Sequence, residues 1–323
     1  MTDIRKDQPT RAETHVDAPL TNMSVAYLQS PNKYIFGKVF PRLPVNKLSG
    51  IFFQYDQKEF LANRAQKRAA GAAAVRSGYN ITQGTYDLLR DAIGHQIPDP
   101  IARNADNPLN LDRDGVTWVT QQLMNALEAD FVSKFMAASV WDNTFTPALK
   151  FNDPNSDVIT EIKDECRTVE GNTGFRPNVI VAGALTHDRI CEHPDIIDRL
   201  KYGQTAGSPA MANENKLAQL FEVDRYLVAR AVQNTAAEGV TGSYGFTAGS
   251  DDLLGVYAPA TVGLQSITAG VTLTWAGTGN KMGMAFKRYR DEPFESDIIE
   301  GEIWYQHKCV APALGFYASD CAD

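Results

Sequence analysis

KEFLANRAQKRAAGAAAVRSGYNIT, Lys58 to Thr82, is the stretch on which the reading of this chain turns. It carries Lys58, Arg64, Lys67, Arg68 and Arg76, is rich in alanine, and shows no apolar stripe. Before it, the apolar alternation of Ile51 to Tyr55 predicts a strand, and Ser77 to Thr82 reads as the returning strand. Roughly twenty residues without a core pattern are too many for an ordinary connection inside one domain. The sequence therefore predicts that this loop finds its packing partner on another chain.

Charge sharpens the point. From Lys38 to Arg76 eight basic residues (Lys38, Arg42, Lys47, Lys58, Arg64, Lys67, Arg68, Arg76) face two acidic ones, Asp56 and Glu59, so the segment is +6. The whole chain is −8, which leaves −14 on the remainder. A basic arm on an acidic body suits nucleic acid, or the acidic body of an identical neighbour.

The 323 residues, 43% hydrophobic and 22% charged, have the balance of a folded chain of two domains, or of one large domain with extensions. No apolar run approaches the roughly 20 residues of a membrane helix. The polar start shows no secretory signal. Cys166, Cys191, Cys309 and Cys321 form no CxxC pair and read as free thiols.

Residues 1 to about 30 read as an extended arm, with a short helix at Asn22 to Gln29. Past the loop, "GTYDLLRDAIGHQIPDPIARNADNP" is mixed in pattern. Val116, Val119, Leu123, Leu127, Phe131 and Phe135 then recur at helical spacing and predict one long helix from Asp112 to Ala138, about 40 Å, with Asp112 or Asp114 as its cap. The second half alternates helix and strand. Helices are expected at "SDVITEIKDECRTVE", "ALTHDRICEH" and "NENKLAQLFEV", and strands at "RPNVIVAG", "RYLVARAVQ" and "DLLGVYAPA". "VTLTWAGTGNKMGMAFKRYRD" reads as two strands around a glycine-rich hairpin turn, and Ile298 to Val310 as one long closing strand.

No constellation meets the spacing that chemistry requires. His187, Cys191 and His193 would offer two zinc ligands on one helix face, but no fourth is signalled and Pro194 ends the helix. The same residues lack the separation and third group of a thiol-protease pair. "WAGTGNKMG" departs from a phosphate loop, because Met282 stands where a Ser or Thr would follow Lys281, and a strand follows in place of a helix. Asp291, Glu292, Glu295, Asp297, Glu300 and Glu302 lack calcium-loop spacing. The basic loop has only Phe60 as an interleaved aromatic, too little for a single-strand stacking platform. The expectation is no catalytic residue, no metal and no cofactor.

Several stretches are similar to one subfamily of the major capsid proteins of tailed bacteriophages, which have the Hong Kong 97-like fold. They are "VFPRLPV" (Val39 to Val45) followed by "FFQYDQKEF", "RPNVIVAGALTHDRICEHPDIIDRLKYGQ" from Arg176, and "LAQLFEVDRYLVARAVQNTAAEG" from Leu217. Their order agrees over nearly the whole chain. The resemblance implies an α+β fold divided into an N-terminal arm (1–35), an extension loop with its lead-in strand (36–84), a peripheral domain with a spine helix (85–175), an α/β axial domain (176–285) and a closing strand of the peripheral domain (286–323). It also implies a subunit that assembles with itself, as pentamers and hexamers, into an icosahedral shell around double-stranded DNA held by non-specific contact. Lys58, Arg64, Lys67, Arg68 and Arg76 become inter-subunit contacts of the extension loop.

Some thirty residues precede the first strand, too few for a fused scaffolding segment. The expectation is therefore a separate scaffolding protein, or a chain that is the processed form, with a portal and optionally a decoration protein. The setting would be the virion, and the host cytoplasm during assembly, with no membrane. Relatives that cross-link loop lysines to asparagines give no reason to expect a bond at Lys58 or Lys67. Three rivals predict different behaviour. An encapsulin-like cellular shell would lack packaged DNA. A soluble α/β enzyme would be a monomer with turnover. A nucleic-acid-binding module would bind duplex as a monomer with a steep salt slope.

Overall fold

In a computed structural model the described residues are 28–55, 57–71, 73–104, 110–202, 212–237, 239–261, 266–278 and 283–323. The first half contains β1 (Arg42–Val45), β2 (Ser49–Tyr55), α1 (Gln57–Phe60), β3 (Ile81–Asp87), β4 (Leu89–Pro98), α2 (Asp99–Asn104), α3 (Leu111–Phe135) and β5 (Asn143–Phe145). Then follow α4 (Val158–Thr173), β6 (Val179–Gly183), α5 (Ala184–Glu192), α6 (Pro194–Tyr202), α7 (Glu214–Phe221), β7 (Arg225–Ala229), β8 (Val232–Asn234) and β9 (Tyr244–Phe246). The chain closes with β10 (Leu253–Val256), β11 (Gly270–Trp275), β12 (Met284–Asp291), β13 (Ser296–Cys309) and β14 (Gly315–Ala318). Residues 1–27 of the arm, including most of the short helix expected from Asn22, lie outside the described residues.

The long helix forms where its spacing predicts. Its cap is Asn110, whose side chain accepts the Arg113 N–H at 3.1 Å. Asp112 and Asp114, the expected caps, sit instead in the first turn, where their charge complements the helix dipole. Val119, Leu123, Leu127, Phe131 and Phe135 are buried, but Val116 is exposed and Gly115 takes its place in the stripe. A Cβ at Gly115 would stand 2.8 Å from His95, so the helix can lie on the sheet there only because the side chain is absent. One layer below, a Cβ at Gly301 would come within 2.4 Å of Val119.

That sheet is built on β13. β4 runs antiparallel along one edge, from Pro98 opposite Ser296 to Leu89 opposite Tyr305. Along the other edge β12 and β11 lie end to end, Met284 opposite Ile303 and Thr274 opposite Tyr305. The expected hairpin of β11 and β12 is therefore absent: both strands pair with β13 and neither with the other. Asn280, Lys281 and Met282 of the rejected phosphate-loop reading lie outside the described residues. β1 adds to β11 in parallel.

The second sheet has the order β5-β14-β10-β6-β7. Every residue of β6 and β10 is buried, as in central strands covered on both faces. Asp157 caps α4, and Gly174, at φ 80°, ends it in the left-handed conformation. Pro194 both stops α5 and opens α6, where its missing N–H costs nothing. Sheet membership cuts across the linear boundaries expected from the sequence. β5 and β14 belong to the second sheet, α4 packs in its core, and β11 belongs to the first.

One core histidine makes the fold acid-sensitive. His307 on β13 is buried beside Phe131, Phe135 and Tyr305, with Nδ1 3.0 Å from the Thr272 hydroxyl. Burial pushes its imidazole down to about 4. The unfolded chain therefore binds the extra proton between about pH 6.5 and 4, and stability falls as pH falls through that window. His307→Asn should remove this dependence. Urea titrations of both proteins should then differ by a slope of at most about 1.4 kcal/mol per pH unit, and parallel curves would refute the assignment.

Candidate functional site

The quoted loop forms the end of a ribbon. β2 and β3 pair antiparallel from Ser49 opposite Asp87 to Tyr55 opposite Ile81. The returning strand thus starts at Ile81, four residues later than Ser77, because Tyr79 is drawn into a ring cluster instead. Tyr55, Phe60 and Tyr79 stack with centroids 5.5 to 6.0 Å apart. On one ribbon face each aromatic lies over a facing glycine, Tyr86 on Gly50 and Phe52 on Gly84. Gln54 Nε2 ties the ribbon to the body through the Val310 carbonyl at 2.8 Å, and Gln57 reaches the Asn172 carbonyl. Between ribbon and body runs an apolar crevice of about 760 Å³ lined by Phe52, Tyr86, Val271, Leu273, Val310 and Phe175.

The other face is uncovered. Ile51, Phe53, Tyr55 and Ile81 are 54%, 60%, 41% and 46% exposed. A two-stranded ribbon with an open apolar face is marginal by itself and offers a surface for another chain. Sequence reasoning stressed the cations and missed these side chains, although the alternation of Ile51, Phe53 and Tyr55 carries the signal.

The five expected contact residues fall into three sets. Arg64 is held within the loop, ion-paired with Glu59 and bonded to the Ser77 hydroxyl at 2.8 Å. Lys58 sits in the single turn of α1. Lys67, Arg68 and Arg76 stand exposed on backbone outside any helix or strand, with no ion pair to any described residue.

The other constellations are occupied by structural contacts. His187 lies 3.6 Å from Cys191 Sγ and 3.4 Å from the Tyr226 hydroxyl. His193 points elsewhere, its Nε2 3.2 Å from Ser156 Oγ and 3.2 Å from the Asp153 carbonyl. Among the described residues no group of three or more His, Cys, Asp or Glu is placed to hold a metal ion. Burial pushes the Cys191 thiol up to about 11, the reverse of an activated nucleophile. Its alkylation by iodoacetamide at pH 7.5 should be far slower than that of free cysteine, and a rate equal to free cysteine would show that the thiolate is accessible.

Most of the acidic run is paired within the chain. Arg90 bridges Glu300 and Glu302, Lys287 meets Glu302 at 2.9 Å, and Arg288 joins Asp112 and Asp297. No described helix is long and apolar enough to cross a membrane.

No family model matches the chain. A curated relative, the major capsid protein of Burkholderia phage BcepMu, is 23% identical over 221 residues, covering 67% of this chain and 69% of the relative. Among solved structures, a phage-related protein from Bordetella bronchiseptica RB50 superposes with a TM-score of 0.69 at 19% identity, over 91% of this chain and 94% of that one. The mature capsid of bacteriophage PhiM1 gives 0.62 at 13% identity, over 94% and 91%. An encapsulin from Synechococcus elongatus PCC 7942 gives 0.56 at 10% identity, over 94% of each chain. The fold is α+β and Hong Kong 97-like, as the sequence resemblance implied.

Proposed function

We propose that this chain is the major capsid protein of a tailed bacteriophage, a structural and non-enzymatic subunit that assembles with itself into the icosahedral shell around the double-stranded DNA genome. The observation that carries the reading is the ribbon. On a fold shared with shell proteins, it presents an apolar face and three exposed cations that its own subunit leaves uncovered. A neighbour with an acidic body supplies both the cover and the counter-charge. In a closed shell every subunit gives such a ribbon and receives one.

In this reading the ribbon and its loop are the extension loop, α3 with the β13 sheet is the peripheral unit, and the second sheet with α4 to α7 is the axial unit. Residues before about 35 are the arm. Lys58, Lys67, Arg68 and Arg76 act between subunits, whereas Arg64 shapes the loop from within. A separate scaffolding protein, a portal and a decoration protein are the further partners. DNA is met by non-specific contact, and assembly takes place in the host cytoplasm before the virion is complete.

Negative-stain imaging and sedimentation of the purified protein test this. Capsomers or closed shells of uniform diameter support it. A monomer at high concentration in every salt condition overturns it. The sequence match to a phage protein favours the virion over the encapsulin reading, and nuclease-protected DNA in particles from an infected host separates the two.

A further inference from the structure

Residues 28–40 contain only the short turn Pro31–Lys33, yet Tyr34, Ile35, Phe36, Val39 and Phe40 are buried. Irregular backbone that is buried must still satisfy its N–H groups. Those of Ile35 and Phe36 meet Glu128, in the middle of α3. The Ile35 N–H donates to both carboxyl oxygens, at 3.1 and 3.0 Å, and the Phe36 N–H donates to Oε2 at 2.9 Å. Glu128 is 1% exposed. Beside it the Tyr34 hydroxyl donates to Asn125 Oδ1 at 2.6 Å.

The same segment is tied to β8, which pairs with β9 in a separate two-stranded sheet, and to β7 of the second sheet. Gln29 exchanges two hydrogen bonds with the backbone of Val232, and Arg225 reaches the carbonyls of Lys38 and Val39. It then runs into β1, where the Arg42 guanidinium lies over the Phe36 ring at 5.6 Å. Soon after comes the root of the ribbon, closed by the Leu88 N–H on the Leu48 carbonyl.

We propose that residues 28–40 are a strap latched to α3 by Glu128, and that ionisation of this buried carboxyl loosens the latch and frees the root of the ribbon. The charged and titratable groups facing Glu128 are Tyr34 and Lys38 of the strap. Arg225 of β7 engages the strap's carbonyls. His307, on the sheet under the helix, is neutral. Burial dominates and raises the Glu128 carboxyl to about 7, partly offset by the Phe36 and Ile35 N–H groups and by Lys38. A carboxyl released to water titrates near 4.5. The latched state is therefore the one that holds the proton. Oε2 alone accepts from both N–H groups, so the protonated carboxyl keeps the latch. The latch is tightest below about pH 4.5, loosens as pH climbs from there towards 7, and changes no further above that.

Hydrogen exchange of the full-length chain, followed in peptides covering 34–40 and corrected for intrinsic pH dependence, tests this. Protection of the Ile35 and Phe36 amides should fall at least about tenfold between pH 5 and 7.5, since each pH unit inside the window is worth up to about tenfold. Glu128→Gln should make the profile flat. Lys38→Gln should carry the fall to higher pH, and it keeps the test decisive if Glu128→Gln does not fold. The His307 effect runs the other way, with stability rising as pH rises, so it cannot imitate this result. Protection that is independent of pH in the unaltered chain overturns the proposal, and so does an unchanged profile in Glu128→Gln.

Discussion

Leu127→Ala is expected to leave α3 without its central contact and to cost about 2–5 kcal/mol, a large part of the roughly 5–15 kcal/mol that a domain has in total. Leu127 is almost completely buried, in one cluster with Leu123, Phe131, Ile303 and Tyr305. This cluster also contains Val179, Val181 and Leu254 of the second sheet, so the loss reaches both layers. Close packing leaves little room to fill the void, because the helix already rests on Gly115 and Gly301. The variant should be insoluble, or should melt far below the unaltered chain. Gln122→Ala, on a partly exposed position of the same helix, should stay within about 0.5 kcal/mol. Equal melting temperatures for Leu127→Ala and the unaltered chain would mean that this face does not carry the core.

Where local pattern and final packing agree, the chain was readable. The stripe from Val119 to Phe135, the helix ended by Gly174, the strand after Pro177 and the stop at Pro194 each combine periodicity with a local breaker or cap. β4 escaped notice because its helix-facing residues include Asp91 and His95. Their polar groups are used, Asp91 by the Tyr305 hydroxyl and His95 against the Trp118 ring, but in sequence they spoil the alternation. The false hairpin of β11 and β12 has a different cause. A glycine-rich break looks the same whether the chain reverses or leaves and rejoins one edge of β13, and only the distant pairing decides. Gly283, at φ 71° and with room for no Cβ against the Trp304 carbonyl, belongs to that rejoining. Glu128 was unreadable for a similar reason. A glutamate beside an apolar stripe looks like a boundary residue until Ile35 and Phe36 fold onto it.

Reversing Lys67, Arg68 and Arg76 together to glutamate should abolish assembly while leaving the subunit folded. The three side chains are exposed, have no ion pair to a described residue, and lie beyond the ring cluster of Tyr55, Phe60 and Tyr79. Their removal opens no cavity and strands no partner, so the melting temperature should barely move. Between subunits the change is severe, because three attractive charges become three repulsive ones against a body that carries −14. Like charges brought together cost several kcal/mol in all, and a shell multiplies that cost over every contact. Arg64 is left in place because its pairing with Glu59 is internal. Assembly of the unaltered chain should also weaken as salt rises, since exposed charges are screened within about 8 Å at physiological ionic strength. Phe53→Ser separates the two contributions. It removes apolar cover without touching charge, and should reduce assembly at every salt concentration alike. If the triple variant forms shells in ordinary yield at low and moderate salt, the ribbon's cations do not bind a neighbour, and its apolar face alone must account for docking.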